Sequence, residues 1–162
     1  MIQQLFDFFS GAGEVLALFI VSVIPFIELR AAIPFGILVL GMPWYEAFLI
    51  SFISNCLPIP FVILLARPVF AWLKKTKMFS GFAHRFEEKM MKKSEKVTKY
   101  KLIGLFLFVA VPLPGTGAYS GSVIAALLNM RLKKSFVSIA AGVFVAGIIV
   151  TILSLCGLMA IN

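Results

Sequence analysis

A glutamate and an arginine lie two positions apart inside an apolar stretch of this sequence. Glu28 and Arg30 belong to PFIELRAAIPFG (25–36), with VLALFIVSVI before it and ILVLG after it. A buried carboxylate beside a cation can be poised to take up and release a proton. Carboxylates within a membrane are usually functional. The alternative is a static Glu28–Arg30 pair that only ties this segment together.

Arg30 is the one cation of the apolar segments, and a guanidinium suits a phosphate or carboxylate group. Two residues apart on a regular helix, the Glu28 and Arg30 side chains would diverge. We expect Pro25 and Pro34 to break the helix here. The segment is then either one kinked spanning helix or a re-entrant hairpin with this pair at its tip, and the distribution of positive charge decides between the two.

A second candidate element is VPLPGTGAYSGS, residues 111–122. We expect its prolines to stop an incoming helix and its glycines to allow positive φ and close backbone approach. A tight packing turn would need the same glycines, whereas Thr116 would cap the outgoing half-helix. The predicted site residues are Pro112, Pro114, Gly115, Thr116 and Gly117, with supporting hydroxyls from Tyr119 and Ser120.

Other polar residues of the apolar segments give weaker signals. Ser51 and Asn55 could support the site, or could satisfy backbone groups that a broken hairpin leaves free. Cys56 and Cys156 have no metal-ligand spacing and are interpreted as buried hydrophobes, and His84 as a surface residue. No catalytic-triad, zinc-ligand or phosphate-loop pattern occurs. We therefore expect neither an enzyme nor a bound cofactor or metal.

The composition indicates an integral membrane protein. Of 162 residues, 61% are hydrophobic, which exceeds the roughly 45–50% of soluble domains. We predict an all-α membrane protein with a single domain over residues 1–162, with no cleavable signal. The long apolar segments are 14–40, 44–65, 102–128 and 135–158, and the first and third are interrupted at 25–34 and 112–121.

The distribution of positive charge along the chain distinguishes between two membrane topologies. The net charge is +8, and eleven of the fifteen Lys and Arg lie between Arg67 and Lys101, with three more at 131–134. This clustering argues against nucleic acid as a partner. If all four segments spanned, the two basic clusters would lie on opposite faces. With 14–40 and 102–128 as re-entrant hairpins, both clusters lie in the cytoplasm and both termini outside.

This topology predicts an inverted repeat of a re-entrant helical hairpin followed by a transmembrane helix. Repeat 1 covers about 14–65 and repeat 2 about 102–158, with the substrate site near the midplane between the two tips. The linker 67–101 is predicted to be a basic amphipathic cytoplasmic helix at the membrane surface, or alternatively a solvated coil. Its apolar positions are Phe82, Phe86, Met90 and Val97.

ELRAAIP and PLPGTGAYSG together resemble the putative small multidrug export protein family, which is distantly similar to the DedA (VTT/SNARE-associated) membrane proteins. The resemblance implies two re-entrant hairpins in inverted repeats. It also implies proton-coupled transport or flipping of lipids, including a lipid-phosphate carrier. By this resemblance Glu28 matches the carboxylate linked to proton coupling.

The leading hypothesis is therefore a small inner-membrane, multi-pass transporter or lipid flippase, coupled to protons through Glu28. The alternative is a membrane organiser or assembly partner that acts through the basic linker, and a channel is a third option. The expected partners are membrane lipids, including anionic headgroups, and a second copy of the chain in a homodimer or larger homo-oligomer. Small residues on segment 135–158 would suit close packing within or between subunits.

Overall fold

The computed structural model describes residues 2–25, 27–75, 80–113 and 115–161, without the side chains of 2–12, 95, 96, 98, 99, 160 and 161. The described residues form eight α-helices and no β-strand, which confirms the all-α prediction. A π-helical turn, Phe35–Val39, extends α2. The helices are α1 (Ile2–Val23), α2 (Glu28–Pro34), α3 (Trp44–Cys56), α4 (Ile59–Lys75), α5 (Ser80–Lys93), α6 (Glu95–Ala110), α7 (Ala118–Leu127) and α8 (Leu132–Ile161).

Within the described ranges, two helical stretches are long and apolar enough to cross a membrane. They are Trp44–Lys75, which comprises α3 and α4, and Leu132–Met159 in α8. Only 33% and 39% of their apolar windows are buried, and side chains such as Phe61 and Leu153 are largely exposed. The core helix of a soluble protein would bury most of such a surface, so these helices suit contact with lipid.

The break in the first apolar segment is shorter than predicted. α1 ends at Val23 and α2 begins at Glu28, so only four residues separate the two helices. Pro34 does not break the helix, contrary to the prediction. It has ordinary helical angles, φ −56° and ψ −40°, and the chain widens directly after it into the π-helical turn.

The second apolar segment continues further than predicted. Pro58 lies in the turn between α3 and α4, as a helix-breaking proline should. α4 then runs to Lys75, well beyond the predicted end at residue 65, and includes Pro68. Pro68 therefore neither ends α4 nor begins a separate helix. An interior proline removes one hydrogen bond and bends a helix, but neighbouring bonds can carry the helix past it.

The basic linker is helical but is not one continuous helix. In α5, Ala83 and Met90 are buried while Phe82 remains 65% exposed, so the predicted apolar face is only partly covered. Residues 76–79 lie outside the described part of the chain. Lys101 has φ 50° and ψ −118°, which interrupts α6. This kink coincides with the predicted boundary between the linker and the third apolar segment.

The chain divides into two compact units, each described by itself. The first unit consists of the chain up to Cys56 and the part from Val145 onward, and the second unit is Leu57–Phe144. In the first unit α1, α2 and α3 pack against one another. In the second unit α7 packs against α4, α5 and α6. The single membrane domain and the inverted repeat stay predictions.

Small residues on α8 permit close packing inside the chain. In the second unit, a β-carbon on Gly142 would lie 2.8 Å from the Cβ of Val109 and 2.9 Å from the backbone oxygen of Phe106. In the first unit, a β-carbon on Gly147 would lie 2.7 Å from the Phe48 ring. Larger side chains would separate these elements, so the small residues serve packing within one subunit.

Candidate functional site

Glu28 has a backbone conformation that few residues other than glycine adopt. Its φ is 52°, in the left-handed region, and its N–H donates to the Ile24 carbonyl oxygen over 3.1 Å. Pro25 lies exposed in the preceding turn, whereas Glu28 is only 5% exposed. A left-handed residue of this kind costs about 1–3 kcal/mol, and such strain concentrates at functional sites.

Glu28 and Arg30 attract each other electrostatically. Each takes part in polar or electrostatic interactions, and Arg30 is half-buried. Because Glu28 leaves the regular helical conformation, the divergence expected for residues two apart on a helix does not apply. The break at this site therefore lies in the connection between α1 and α2 and in the backbone of Glu28 itself, and not at Pro34.

Helix α3 presents a buried polar face in the same unit. Ser51, Ser54 and Asn55 are each 0% exposed. The Ser54 hydroxyl donates to the Ile50 carbonyl oxygen over 2.6 Å. Within the described part of the chain, the Ser51 hydroxyl and both polar atoms of the Asn55 amide have no hydrogen-bond partner. Buried polar atoms are normally paired, so unpaired ones mark a place for water or a ligand.

The register of the first unit brings Glu28 and Asn55 to the same end. A β-carbon on Gly36 would lie 2.9 Å from the Cβ of Ala47 and 3.2 Å from a methyl group of Leu18. Gly36 and Ala47 flank a short connection, so the π-helical turn and α3 run antiparallel. Glu28 lies two turns before Gly36 and Asn55 two turns after Ala47, which is about 12 Å in each case.

The sequence predictions missed Ser22 in this unit. It is 0% exposed, and its hydroxyl has no hydrogen-bond partner among the described residues. Ser22 lies one turn after Leu18, whose side chain approaches Gly36, on the same face of α1. A lone serine within the apolar run LFIVSVI was the available signal. The buried polar set of the first unit therefore includes Ser22, Glu28, Ser51 and Asn55.

Two glycine backbone conformations and a threonine hydroxyl shape the second loop. Gly115 and Gly117 have φ of 79° and 140°, conformations that favour glycine, as predicted. The Thr116 hydroxyl makes contacts of 2.8 Å with the Leu113 carbonyl oxygen and 3.0 Å with that of Val111. Thr116 thus interacts inside the loop. The N-cap position of α7 is occupied by Gly117, with no side-chain cap hydrogen bond, so the prediction that Thr116 caps α7 is wrong.

The remaining predicted residues of this loop differ in burial. Pro112 and, in the first turn of α7, Tyr119 and Ser120 are half-buried. Pro114 lies outside the described residues. A β-carbon on Gly121 would lie 2.7 Å from a methyl group of Val109, so α6 and α7 pack closely at this end. The prediction that both loops share one midplane site stays a prediction.

A lysine of the linker binds this loop. The Lys93 ammonium group donates to the Gly115 carbonyl oxygen over 2.7 Å. Partial burial lowers the pKa of Lys93 from its usual value, and the positive charge of Lys89 lowers it further. The basic linker and the second loop are therefore in direct contact. The sequence alone gave no signal for this pairing.

Comparison with known proteins identifies a family whose model matches most of the chain. A family model described as putative small multi-drug export protein matches residues 28–149, a region that begins at Glu28 and includes the second loop. No curated protein and no solved structure matches the chain. Within the described ranges, no group of three or more His, Cys, Asp or Glu side chains could hold a metal ion.

Apolar helices long enough to cross a bilayer and a buried glutamate define a helical membrane protein with an ionisable interior. The family match covers more than half of the chain. The chain therefore belongs to the putative small multi-drug export protein family.

Proposed function

We propose that the protein is a proton-coupled membrane transporter, and not an enzyme, that moves a small amphiphile or a lipid with an anionic group. The observation that carries this proposal is Glu28, buried beside Arg30 on a left-handed backbone. Intramembrane ionisable residues are expensive and usually functional. The family name, which refers to export of small molecules, supports the same class of activity.

In the proposed mechanism Glu28 controls the availability of Arg30. While Glu28 is deprotonated, its carboxylate neutralises the guanidinium. A proton on Glu28 removes that attraction, and Arg30 can then bind a phosphate or carboxylate of the substrate. Proton and anionic substrate therefore bind together. The unpaired atoms of Ser22, Ser51 and Asn55 provide further hydrogen bonds to the substrate or to water.

Helix lengths support a re-entrant arrangement. α2 has seven residues and its π-helical extension has five, a reach of about 18 Å. α7 has ten residues, or about 15 Å. Neither reaches across a hydrocarbon core of about 30 Å. We propose that each forms the returning arm of a hairpin, in inverted DedA-like repeats, with the basic linker in the cytoplasm and both termini outside the inner membrane.

The test uses purified protein in liposomes with an imposed pH gradient. Two probes are followed: the leaflet exchange of nitrobenzoxadiazole-labelled phosphatidylglycerol and the uptake of carboxyfluorescein. Wild-type protein should move at least one probe at a rate that depends on the gradient. Glu28→Gln should abolish that dependence, because glutamine holds no exchangeable proton.

Glu46→Gln is the matched control, since Glu46 is an exposed carboxylate at the start of α3. It should transport like wild type. Gradient-dependent flux that survives Glu28→Gln would remove the coupling role. No movement of either probe by wild-type protein would contradict the substrate class.

A second candidate function is a membrane organiser that docks lipid or protein through its linker. The contact of Lys93 with the second loop and the exposed Arg85, Lys89 and Lys92 on α5 favour it. This function predicts that charge reversal at Lys92 and Lys93, together with Lys96 and Lys99, abolishes activity while Glu28→Gln is tolerated. If the protein is the proposed transporter, Glu28→Gln should instead abolish gradient-dependent transport.

A further inference from the structure

A groove of about 750 Å³ lies within the second unit. Its lining includes none of the residues to which the transport mechanism is assigned. Its volume falls in the range of small-molecule sites, about 300–1,000 Å³. It is open on one side, and its described lining combines charged, polar and apolar side chains. The lining residues are Val97, Tyr100, Lys101, Leu102, Ile103, Leu128, Asn129, Met130, Arg131 and Lys134.

The charge of this groove is positive. Lys101, Arg131 and Lys134 line it and are exposed. No carboxylate is among the described residues of its wall. α8 begins at Leu132, so the first backbone N–H groups of a 30-residue helix add to the positive potential. An occupant of this groove should therefore be anionic.

The position of the cations along the chain indicates the depth of the groove in the membrane. Lys101 is the last residue before the apolar run 102–110, and Lys134 immediately precedes the apolar segment 135–158. Two polar-to-apolar junctions of the chain thus meet at one groove. Such junctions lie where hydrocarbon gives way to headgroups, and a tyrosine, here Tyr100, is common at that level.

The backbone around the groove is fixed by specific features. Arg67 donates from Nε to the Ala126 carbonyl oxygen over 2.6 Å and from Nη1 to Asn129 Oδ1 over 2.8 Å. Asn129 has a left-handed φ of 56°, and Lys101 has a φ of 50°. Strained backbone of this kind persists only where the surroundings hold it. The backbone at Lys101 and just before Arg131 is therefore held in place.

We propose that this groove binds the phosphate headgroup of an anionic phospholipid, with an acyl chain along its apolar wall. Lys101, Arg131 and Lys134 contact the phosphate. Leu102, Ile103 and the other apolar lining residues contact the glycerol and the start of the chain. The site shares no residue with the Glu28 pair and does not depend on the transport proposal.

Native mass spectrometry of the purified full-length protein in detergent tests this site. Palmitoyl-oleoyl phosphatidylglycerol and phosphatidylcholine are titrated separately, and apparent dissociation constants are compared. Phosphatidylglycerol should bind about tenfold more tightly than phosphatidylcholine, because its phosphate charge is not offset by a choline cation, which the three groove cations would repel. Combined Lys101→Gln, Arg131→Gln and Lys134→Gln should remove this preference.

The matched control is Lys133→Gln, which removes one charge from an exposed position next to Lys134 but outside the groove lining. The affinity of this control variant for phosphatidylglycerol should change by less than about threefold, because exposed surface charges contribute little to binding. Equal loss in both variants, or equal binding of the two lipids, would overturn the site. If the triple variant fails to fold, Lys101→Gly and Lys134→Gln are tested singly and should each weaken the preference.

Competition distinguishes the source of the phosphate. Inorganic phosphate and glycerol phosphate should displace phosphatidylglycerol only weakly, because they lack the chain that contacts the apolar wall. Displacement at concentrations similar to that of the lipid itself would overturn the lipid assignment in favour of a soluble phosphate ligand.

Discussion

Ser51 and Ser54 differ in one respect that bears on function. Both are completely buried on α3. Ser54 has two hydrogen-bond acceptors, the carbonyl oxygens of Ile50 and Ser51. The hydroxyl of Ser51 has none within the described part of the chain. A buried unpaired hydroxyl costs about 1–3 kcal/mol, and a binding site for a polar substrate gives a reason to keep it.

The same substitution at both serines separates stability from function. Ser51→Ala should leave the thermal unfolding temperature in detergent unchanged or higher, because no hydrogen bond is lost. It should also reduce transport. Ser54→Ala should lower stability by about 0.5–1.5 kcal/mol, because a paired hydroxyl is removed. Loss of stability in Ser51→Ala alone would show that Ser51 is structural.

At the residue scale the sequence predicted the ionisable pair and two of the buried polar residues of its unit, but not Ser22. Glu28 and Arg30 stand out because charge in an apolar stretch is rare. Ser51 and Asn55 were predicted as supporting residues, and the structure buries both in the same unit as Glu28. Ser22 was missed because one serine in an apolar helix is usually satisfied by its own backbone. Only the register of three packed helices shows that it faces inward.

At the scale of elements, the prolines show which helix ends can be predicted from local sequence and which cannot. Pro25 and Pro58 lie in turns, as their restricted backbone predicts. Pro34 and Pro68 lie inside helical segments. Sequence reasoning treats each proline as a stop signal. Tertiary packing, which carries α4 on to Lys75, decides whether the helix continues beyond it.

Pro68→Ala should stabilise the protein. Alanine restores the N–H that can bond to the carbonyl four residues earlier, and an interior proline costs up to about 3 kcal/mol. Pro60→Ala is the matched control in the first turn of α4, where a proline N–H is not needed. It should change stability by less than about 1 kcal/mol. Thermal unfolding in detergent compares the two, and equal effects would show that Pro68 lies in a relaxed bend.

At the scale of the whole molecule, composition and helix period were enough to predict an all-helical membrane protein. The sequence also indicated that segments 14–40 and 102–128 are interrupted, and the structure divides each between two helices. The lengths of α4 and α8 exceed the prediction because continuation into a polar region depends on packing, which sequence period does not report. The inverted repeat rests on charge distribution, and membrane topology tests it.

The most direct test of the hairpin topology is cysteine accessibility in cells. Cys56 and Cys156 are first replaced by serine. Single cysteines are then placed at Gly13, Gly81 and Lys133, which are all exposed, and at the two glycines a β-carbon meets nothing within 4 Å. Each is labelled with a membrane-impermeant maleimide before and after permeabilisation.

With two re-entrant hairpins, positions 81 and 133 are labelled only after permeabilisation, and position 13 is labelled in intact cells. Labelling of 81 and 133 from opposite faces would mean that segment 102–128 crosses the membrane. Labelling of 13 and 81 from the same face would mean that segment 14–40 crosses it. Either of these results would contradict the paired hairpins on which the proposed transport mechanism depends.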